Sequence, residues 1–224
     1  MSQIGTITLV ERQKRTAHRY NIYIDDEFAF AVHEDVLVAH RLFKGETIDA
    51  ESVQAILEDE EREGAYIRAL KWLGSRQRTE REIRIYFRRK EVPDGVVREV
   101  LDRLRNQGYV DDERFSRTLA EERLNTYGKG KRWIRQELMH KGVDKEIVEE
   151  TVADIGEEEE LRSAELIARK RWRQLSRDPD RAAANRKLFA FLARRGFSAS
   201  VVQTAVRNVT RHGGFDEAEE WGWE

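Results

Sequence analysis

Arginine and lysine gather in four clusters along this chain of 224 residues. The first is Arg76, Arg78, Arg81 and Arg84 with Arg88, Arg89 and Lys90; the second Lys129, Lys131, Arg132 and Arg135; the third Arg169, Lys170, Arg171 and Arg173; the fourth Arg194 with Arg195. Such side chains are suited to neutralising oxyanions, and a row of them on one surface can follow a phosphate backbone or an acidic groove on another protein. Tyr86, Tyr127 and Trp133 stand among the clusters as candidates for stacking on bases, whereas Phe87 reads as core. Nothing in the pattern supports sequence-specific base reading. The competing reading is that these charges are solvated helix faces that pair with one another.

Bond-making chemistry has a weaker footing. Five histidines, His18, His33, His40, His140 and His212, are scattered with no His-Glu-x-x-His spacing. Neighbouring carboxylates such as Asp111 and Asp112 read as helix caps and surface charge rather than as an acid and a base. Gly-Lys-Gly-Lys at 128–131 lacks the glycine spacing and the Ser/Thr of a phosphate-binding loop, and reads as a helix start whose basic residues could meet a phosphate. With no cysteine, a disulfide, a thiolate metal site and a cysteine nucleophile are excluded. The expectation is a protein that is not an enzyme and needs no cofactor or metal. The absence of an apolar run of about 20 residues and of a signal-peptide profile predicts a soluble, cytoplasmic chain with no membrane partner.

Charge is segregated along the chain. Residues 1–64 hold 7 Lys/Arg against 14 Asp/Glu, and residues 65–110 hold 12 against 6. Residues 111–160 hold 9 against 15, and residues 161–224 hold 13 against 8. The small formal net charge of −2 therefore hides alternating acidic and basic segments, as a surface zoned for a large charged partner would.

A threefold internal repeat positions the basic clusters. FRRKEVPDGVVREVL from Phe87, LMHKGVDKEIVEETV from Leu138 and LARRGFSASVVQTAV from Leu192 share one plan. An apolar residue ends one helix, a tight turn follows, and a second helix carries Val96, Val97, Val100, Leu101; Ile147, Val148, Thr151, Val152; or Val201, Val202, Ala205, Val206. Val92, Val143 and Phe197 precede Val97, Val148 and Val202 by five positions, the spacing of a hydrophobic staple. Pro93, Asp144 and Ser198 stand at the N-cap. Ile83, Ile134 and Leu188 match four residues upstream of Phe87, Leu138 and Leu192. Helices are predicted over 65–73, 79–90 and 93–106, then 112–125, 131–141 and 144–155, then 158–175, 182–195 and 198–209. Thr79 and Glu82 form a capping box, and Gly108 closes the first unit. Each unit buries too little alone, so the units must stack.

Ahead of the repeats, alternation over 6–12, 19–24 and 27–32 predicts three antiparallel strands. Tyr20, Ile22 and Ile24 share one face, as do Phe28, Phe30 and Val32, and Asp25-Asp26 forms the hairpin turn. A short helix from Glu34 to Leu42 should end near Gly45, and another should open at Asp49 with Val53, Ile56 and Leu57 inward. Its acidic end, Glu58 to Glu63, reads as a solvated face. The chain thus divides into 1–64 (sheet plus short helices), three-helix repeats at 65–110, 111–156 and 157–210, and a mobile tail at 211–224 bearing Trp221 and Trp223. The predicted fold class is mainly α, tandem three-helix repeats in an elongated curved array with a small N-terminal antiparallel β-sheet.

Three stretches, AYIRALKWLGSRQRTEREIRIYFRRKEV, LRNQGYVDDERFSRTLAEERLN and GKGKRWIRQELMHKGVDKEIVEE, resemble the repeats of the RecX regulatory proteins. RYNIYIDDEFAFAVHEDVLVAHRLFKGE is similar to the N-terminal extension of members from Gram-positive bacteria. The resemblance runs from about Gly5 to Val209, is most specific over Gly108 to Phe115 and most divergent in the third repeat; Thr79 stands where the family usually has serine. It implies a modulator of the RecA recombinase that binds the helical groove of the RecA filament on single-stranded DNA, inhibits its ATPase, strand-exchange and coprotease activities or promotes disassembly, and takes part in recombination, DNA repair and the SOS response. The implied partners are RecA and single-stranded DNA, with duplex DNA as a further ligand; a monomer is expected. Motif positions such as Thr79, Glu82, Gly108, Asp112, Phe115, Gly128, Ile134, Leu138 and Gly142 read as caps, turns and core, which leaves binding to the basic clusters. Two other readings stand beside it: a DNA-binding module that acts without RecA, and a helical scaffold for another protein.

Overall fold

A computed structural model describes residues 3–177 and 179–211, which form two compact units, one ending at Val110 and the other beginning at Asp111. The expected mobile tail, with Trp221 and Trp223, lies outside the described residues from 212 onward, as does His212. Most described residues are helical, and the sheet is confined to the N-terminus.

The first unit starts with β1 (Gln3–Arg12), β2 (Arg19–Ile24) and β3 (Glu27–His33). Asp25 and Asp26 both take positive φ (48° and 67°), the backbone of a two-residue turn whose twist matches the strands it joins. After α1 (Glu34–Ala39) the sequence Thr47–Asp49 forms β4, giving an antiparallel sheet in the order β3-β2-β1-β4. That fourth strand corrects the three-strand expectation: three residues are too few to show alternation, and β4 exists because Thr47 and Ile48 pair with Thr6 and Gly5. Helix α1 also stops short of the expected Leu42. Arg41 turns left-handed (φ 51°), and Gly45 (φ 96°) lies in the turn to β4, where its N–H donates to the Ile7 carbonyl at 2.8 Å.

Ile7, Ile22, Ile24, Phe30 and Val32 fill the inner face of the sheet against Val36, Leu37, Leu42, Ile48 and Ile56. Phe28 does not join them and is 58% exposed. Its register shifts between Ile22 and Tyr23, so that Ile22 faces Phe30 but Tyr23 faces Phe28, and the bulge puts Phe28 beside Tyr23 with ring centroids 5.8 Å apart.

Helix α2 (Ala50–Leu73) replaces the two helices expected on either side of Gly64. A single glycine costs about 1 kcal/mol relative to alanine inside a helix, too little to stop one anchored at both ends. Asp49 caps it through the Ser52 N–H at 2.8 Å; Ile56 packs under the sheet while Leu57 points out; Ala65, Tyr66 and Ala69 enter a second core. The acidic run is not simply solvated. Glu60 accepts the His33 N–H at 2.6 Å and pairs with Arg19 at 2.8 Å, and buried Glu63 holds Arg103 at 2.6 Å while the Arg103 guanidinium lies 3.6 Å over the Tyr66 ring.

That second core is repeat 1, completed by α3 (Glu80–Arg88) and α4 (Asp94–Asn106). The capping box forms as expected, with the Glu82 N–H donating to Thr79 Oγ1 and the Thr79 N–H to Glu82 Oε2, both at 3.2 Å. Ile83 and Phe87 are fully buried against Val97, Val100, Leu101 and Leu104.

In the second unit, α5 (Asp112–Glu121) widens into a π-helical turn over Glu122–Thr126, followed by α6 (Lys131–Lys141) and α7 (Lys145–Asp154). Repeat 3 comprises α8 (Glu157–Leu175), α9 (Arg181–Arg194) and α10 (Ala199–Arg211). Both repeats share one continuous core. The matched pairs Ile134 and Leu138, and Leu188 and Leu192, are buried in it, with Val148, Val202 and Phe197. Ser163 Oγ ties the repeats by donating to the Leu124 carbonyl at 2.6 Å. Among the described residues, no helix is long and apolar enough to cross a membrane.

Candidate functional site: a basic and aromatic surface in the second unit

Gly-Lys-Gly-Lys acquires its shape from repeat 3. The π-helical turn sends the Lys129 N–H back to the Arg123 carbonyl at 2.9 Å, and Gly128 (φ 56°) reverses the chain. The Gly130 N–H then donates to the Arg195 carbonyl at 2.9 Å and the Arg132 N–H to the Gly196 carbonyl at 3.0 Å. A Cβ on Gly130 would lie 2.4 Å from the Phe197 nitrogen, and one on Gly196 2.5 Å from the Trp133 nitrogen. The two turns can therefore touch only as glycine against backbone. At the helix start the Lys131 N–H donates to the Glu160 carboxylate at 3.1 Å, so protein acceptors already occupy the amides that open α6. Only side chains remain to meet an anion.

Those side chains converge. Lys129 places its ammonium 3.5 Å over the Trp133 ring, and Arg195 donates to the carbonyls of Tyr127 at 2.6 Å and Gly128 at 3.3 Å. Arg195 and Arg171 both approach the Phe191 ring, at 4.9 and 5.7 Å. The carboxylate nearest in effect to Lys129 is Glu137, but Arg123 takes it with two bonds of 2.8 Å. Burial, then the Arg195 charge, pushes the Lys129 ammonium below its ordinary value, whereas the hydrogen bond from Arg123 lowers the Glu137 carboxyl. Lys129 and Arg195 are thus two cations held by aromatic rings and carbonyl dipoles, with no carboxylate bound to either among the described residues.

The clusters separate on this basis. Lys129, Lys131 and Arg132 come beside Arg194 and Arg195 through the contact of the two turns, and Arg171 joins at Phe191. Arg135 turns away to Glu149 at 2.8 Å, Arg169 lies 3.7 Å from Glu165, and Lys170 and Arg173 are exposed on α8. In the first unit, Arg76 pairs with Glu82 at 2.7 Å, Arg84 approaches Glu80 at 3.5 Å, and Arg81, Arg88, Arg89 and Lys90 are exposed. Arg78 places its guanidinium 3.8 Å over Trp72. Of the proposed stacking residues, Tyr127 and Trp133 are exposed, but Tyr86 spends its ring on Trp72, stacked at 4.5 Å with planes 15° apart. Trp72, Phe191 and Arg123 were not among the candidates read from the sequence. The offset of 51 residues that aligns Ile83 with Ile134 also aligns Arg78 with Lys129, but it does not align Trp72 with Trp133, so the rings beneath the two cations carry no repeat signal in the sequence.

Other polar groupings are engaged internally. A cavity of about 330 Å³ in the first unit is lined by Asp59, Arg62, Glu63, Tyr66, Glu99 and Arg103. Arg62 pairs there with Asp59 and Glu99, and Arg103 with Glu63. Atoms of His33, Asp35 and Glu63 lie within 4.8 Å of one another, a spacing a metal could use. Yet His33 Nδ1 accepts the Asp35 N–H at 3.3 Å and Arg103 holds Glu63, so a cation would have to displace both.

Comparison with known proteins covers most of the chain. Models of the regulatory protein RecX N-terminal domain and of the first, second and third RecX three-helix domains match residues 5–49, 65–104, 111–152 and 157–206. Regulatory protein RecX of Bacillus cytotoxicus is 33% identical over 92% of this chain and 77% of its own. That of Clostridium acetobutylicum is 31% identical over 92% of this chain and 96% of its own. A crystal structure of a regulatory protein RecX superposes with a TM-score of 0.76 at 32% identity, covering 92% of this chain and all of that one. RecX from Lactobacillus salivarius shares the fold at a TM-score of 0.63 and 22% identity, over 68% of this chain and 99% of its own.

Proposed function

The chain belongs to the RecX family of regulatory proteins, and from that premise we propose that it binds the RecA filament on single-stranded DNA and lowers its ATPase, strand-exchange and coprotease activities. The mode of action is binding, with no bond made or broken. A RecA filament repeats its surface, and this chain repeats its own module three times. Tandem modules that engage neighbouring subunits convert individually weak, salt-screened contacts into one tight attachment. Such an attachment would oppose the subunit motions that accompany ATP turnover.

The observation that carries the reading is the pair Lys129 and Arg195, pinned at the contact of two turns while Arg123 occupies the nearby carboxylate. Their positive charge is available to acidic groups of a filament subunit or to phosphates of the strand it carries. The same pair, beside the exposed Trp133, favours a second reading, a DNA-binding module that acts without RecA.

RecA's DNA-dependent ATPase, followed with this protein added well below one per RecA, tests the proposal. Inhibition by the natural chain, relieved when Lys129 and Arg195 are both changed to glutamate with the helical circular dichroism unchanged, is the expected result. Unaltered ATPase at every ratio, alongside salt-sensitive binding to bare DNA, would sink it in favour of the second reading.

A further inference from the structure

The threefold repeat allows equivalent residues to be compared as chemistry. Shifted by 51 positions, Arg78 falls on Lys129, each immediately before the N-cap of the second helix of its repeat, Thr79 in one and Gly130 in the other. Each cation lies over an indole: Arg78 is 3.8 Å from the Trp72 centroid and Lys129 is 3.5 Å from that of Trp133. The two tryptophans are not themselves equivalent, since Trp72 ends α2 whereas Trp133 sits in the first turn of α6. The arrangement has been reached from different residues, which a mere echo of the repeat would not require.

A third likeness concerns the countercharge. The carboxylate acting on Arg78 is Glu82, but Arg76 engages it at 2.7 and 3.3 Å, and it also accepts the Thr79 N–H. The carboxylate acting on Lys129 is Glu137, engaged by Arg123. In both repeats another arginine claims the anion and leaves the cation on the indole. Arg78 donates to Ser75 Oγ at 3.1 Å, its Nε is buried without an acceptor, and it makes no ion pair among the described residues. Burial, then the Arg76 charge, lowers the affinity of its guanidinium for its proton. The cation–π contact holds each cation in place but leaves its charge without a countercharge.

We propose that Arg78 on Trp72 is a second phosphate contact, the repeat-1 counterpart of Lys129 on Trp133, and that each, within its own unit, receives a backbone phosphate of single-stranded nucleic acid. Single-sign density favours this polyanion over an acidic protein face: residues 76–90 hold seven Lys/Arg against two Glu, and residues 128–135 hold four against none. Among the described residues, repeat 3 has no such contact. There the corresponding residue is Ala183, because α9 begins a turn earlier, at Arg181. For Lys129 the inference rests on the reading of that turn as partner-facing; for Arg78 it adds a site in the first unit.

The test is the salt dependence of binding between the full chain and a labelled oligothymidylate, followed by fluorescence anisotropy. Arg78→Gln and Lys129→Gln should each flatten the slope of log affinity against log salt by about 0.7, the contribution of one phosphate on a single strand. The double variant should lose about twice that, since the two positions lie in separate units and share no partner. Arg78→Lys should keep the slope, and Lys44→Gln, an exposed charge elsewhere, should not change it. Arg78→Met, which keeps a flexible stem on the indole, replaces the glutamine variant if that one loses its near-ultraviolet dichroism. A natural slope in both uncharged Arg78 variants overturns the site, and equal flattening on a duplex of the same length overturns the single-strand assignment. RecA's ATPase separates this from the functional proposal. A natural chain that leaves RecA untouched but responds at Arg78 on oligothymidylate removes the proposed function and keeps the contact; inhibition with slopes indifferent to Arg78 does the reverse.

Discussion

The two units stabilise their repeats by different means. Repeat 1 borrows its first helix from α2, whose other half lies under the sheet, so the unit holds two cores strung on one helix. Repeats 2 and 3 each have three helices of their own and close on one another through glycine turns into one core. The same module can therefore be completed by an unrelated neighbour or by its own copy. What each arrangement requires at a given position follows from which neighbour is present.

The turn after the second helix makes the contrast concrete. Gly142 (φ 79°) and Gly196 (φ 86°) occupy equivalent places in repeats 2 and 3, and Glu91 (φ 56°) takes the same left-handed backbone in repeat 1. Glycine at 196 has two duties, the positive φ and the close approach to Trp133. Position 91 has only the first, and a side chain there is tolerated at the cost of strain.

Gly196→Val should have the largest effect. The positive φ and the collision at Trp133 together should cost about 3 kcal/mol, measured by urea unfolding. Hydrogen exchange should show the loss in residues 111–211, and equal loss over 3–110 would break the distinction between the units. Gly64→Ala should raise stability by about 1 kcal/mol if α2 is continuous, since a Cβ there meets nothing closer than Arg68 Nη1 at 3.4 Å. No gain would mean that the sheet and repeat 1 are borne by two separate helices. Glu91→Gly should stabilise by up to about 1 kcal/mol through relief of the left-handed strain, partly offset by the freer unfolded chain; a loss would show that the glutamate has a contact of its own.

The smallest effect is one of pH. Glu137 has its carboxyl lowered below the ordinary value of 4.5, first by the hydrogen bond from Arg123. Its contribution is complete above the unfolded value and fades as the pH falls through the folded one, because the unfolded chain takes up the proton first. The stability of the natural chain should therefore drop more steeply than that of Glu137→Gln as the pH is lowered through and below the ordinary carboxyl value of 4.5, as read from urea midpoints. Parallel curves would remove Glu137 as the anchor of Arg123.

Much of this protein is written in local pattern. The matched apolar positions Ile83, Ile134 and Leu188, the caps at Thr79, Asp144 and Ser198, and the left-handed Gly108 are consequences of helix periodicity and of orphan amides at helix ends, which need only a few neighbouring residues. The sheet's turn at Asp25-Asp26 belongs to the same class. The elements that went unread depend on partners distant in the chain. Strand β4 exists through its pairing with β1, the continuity of α2 across Gly64 through packing at both ends, and the bulge that exposes Phe28 through its match to β2. The candidate site divides in the same way: composition revealed where cations are plentiful, but not which are neutralised. Only the folded chain sets Arg123 on Glu137 and Arg76 on Glu82, and so leaves Lys129 and Arg78 on their indoles. Charge is a property of the residue, whereas its compensation depends on which residues the tertiary structure brings within a few ångströms.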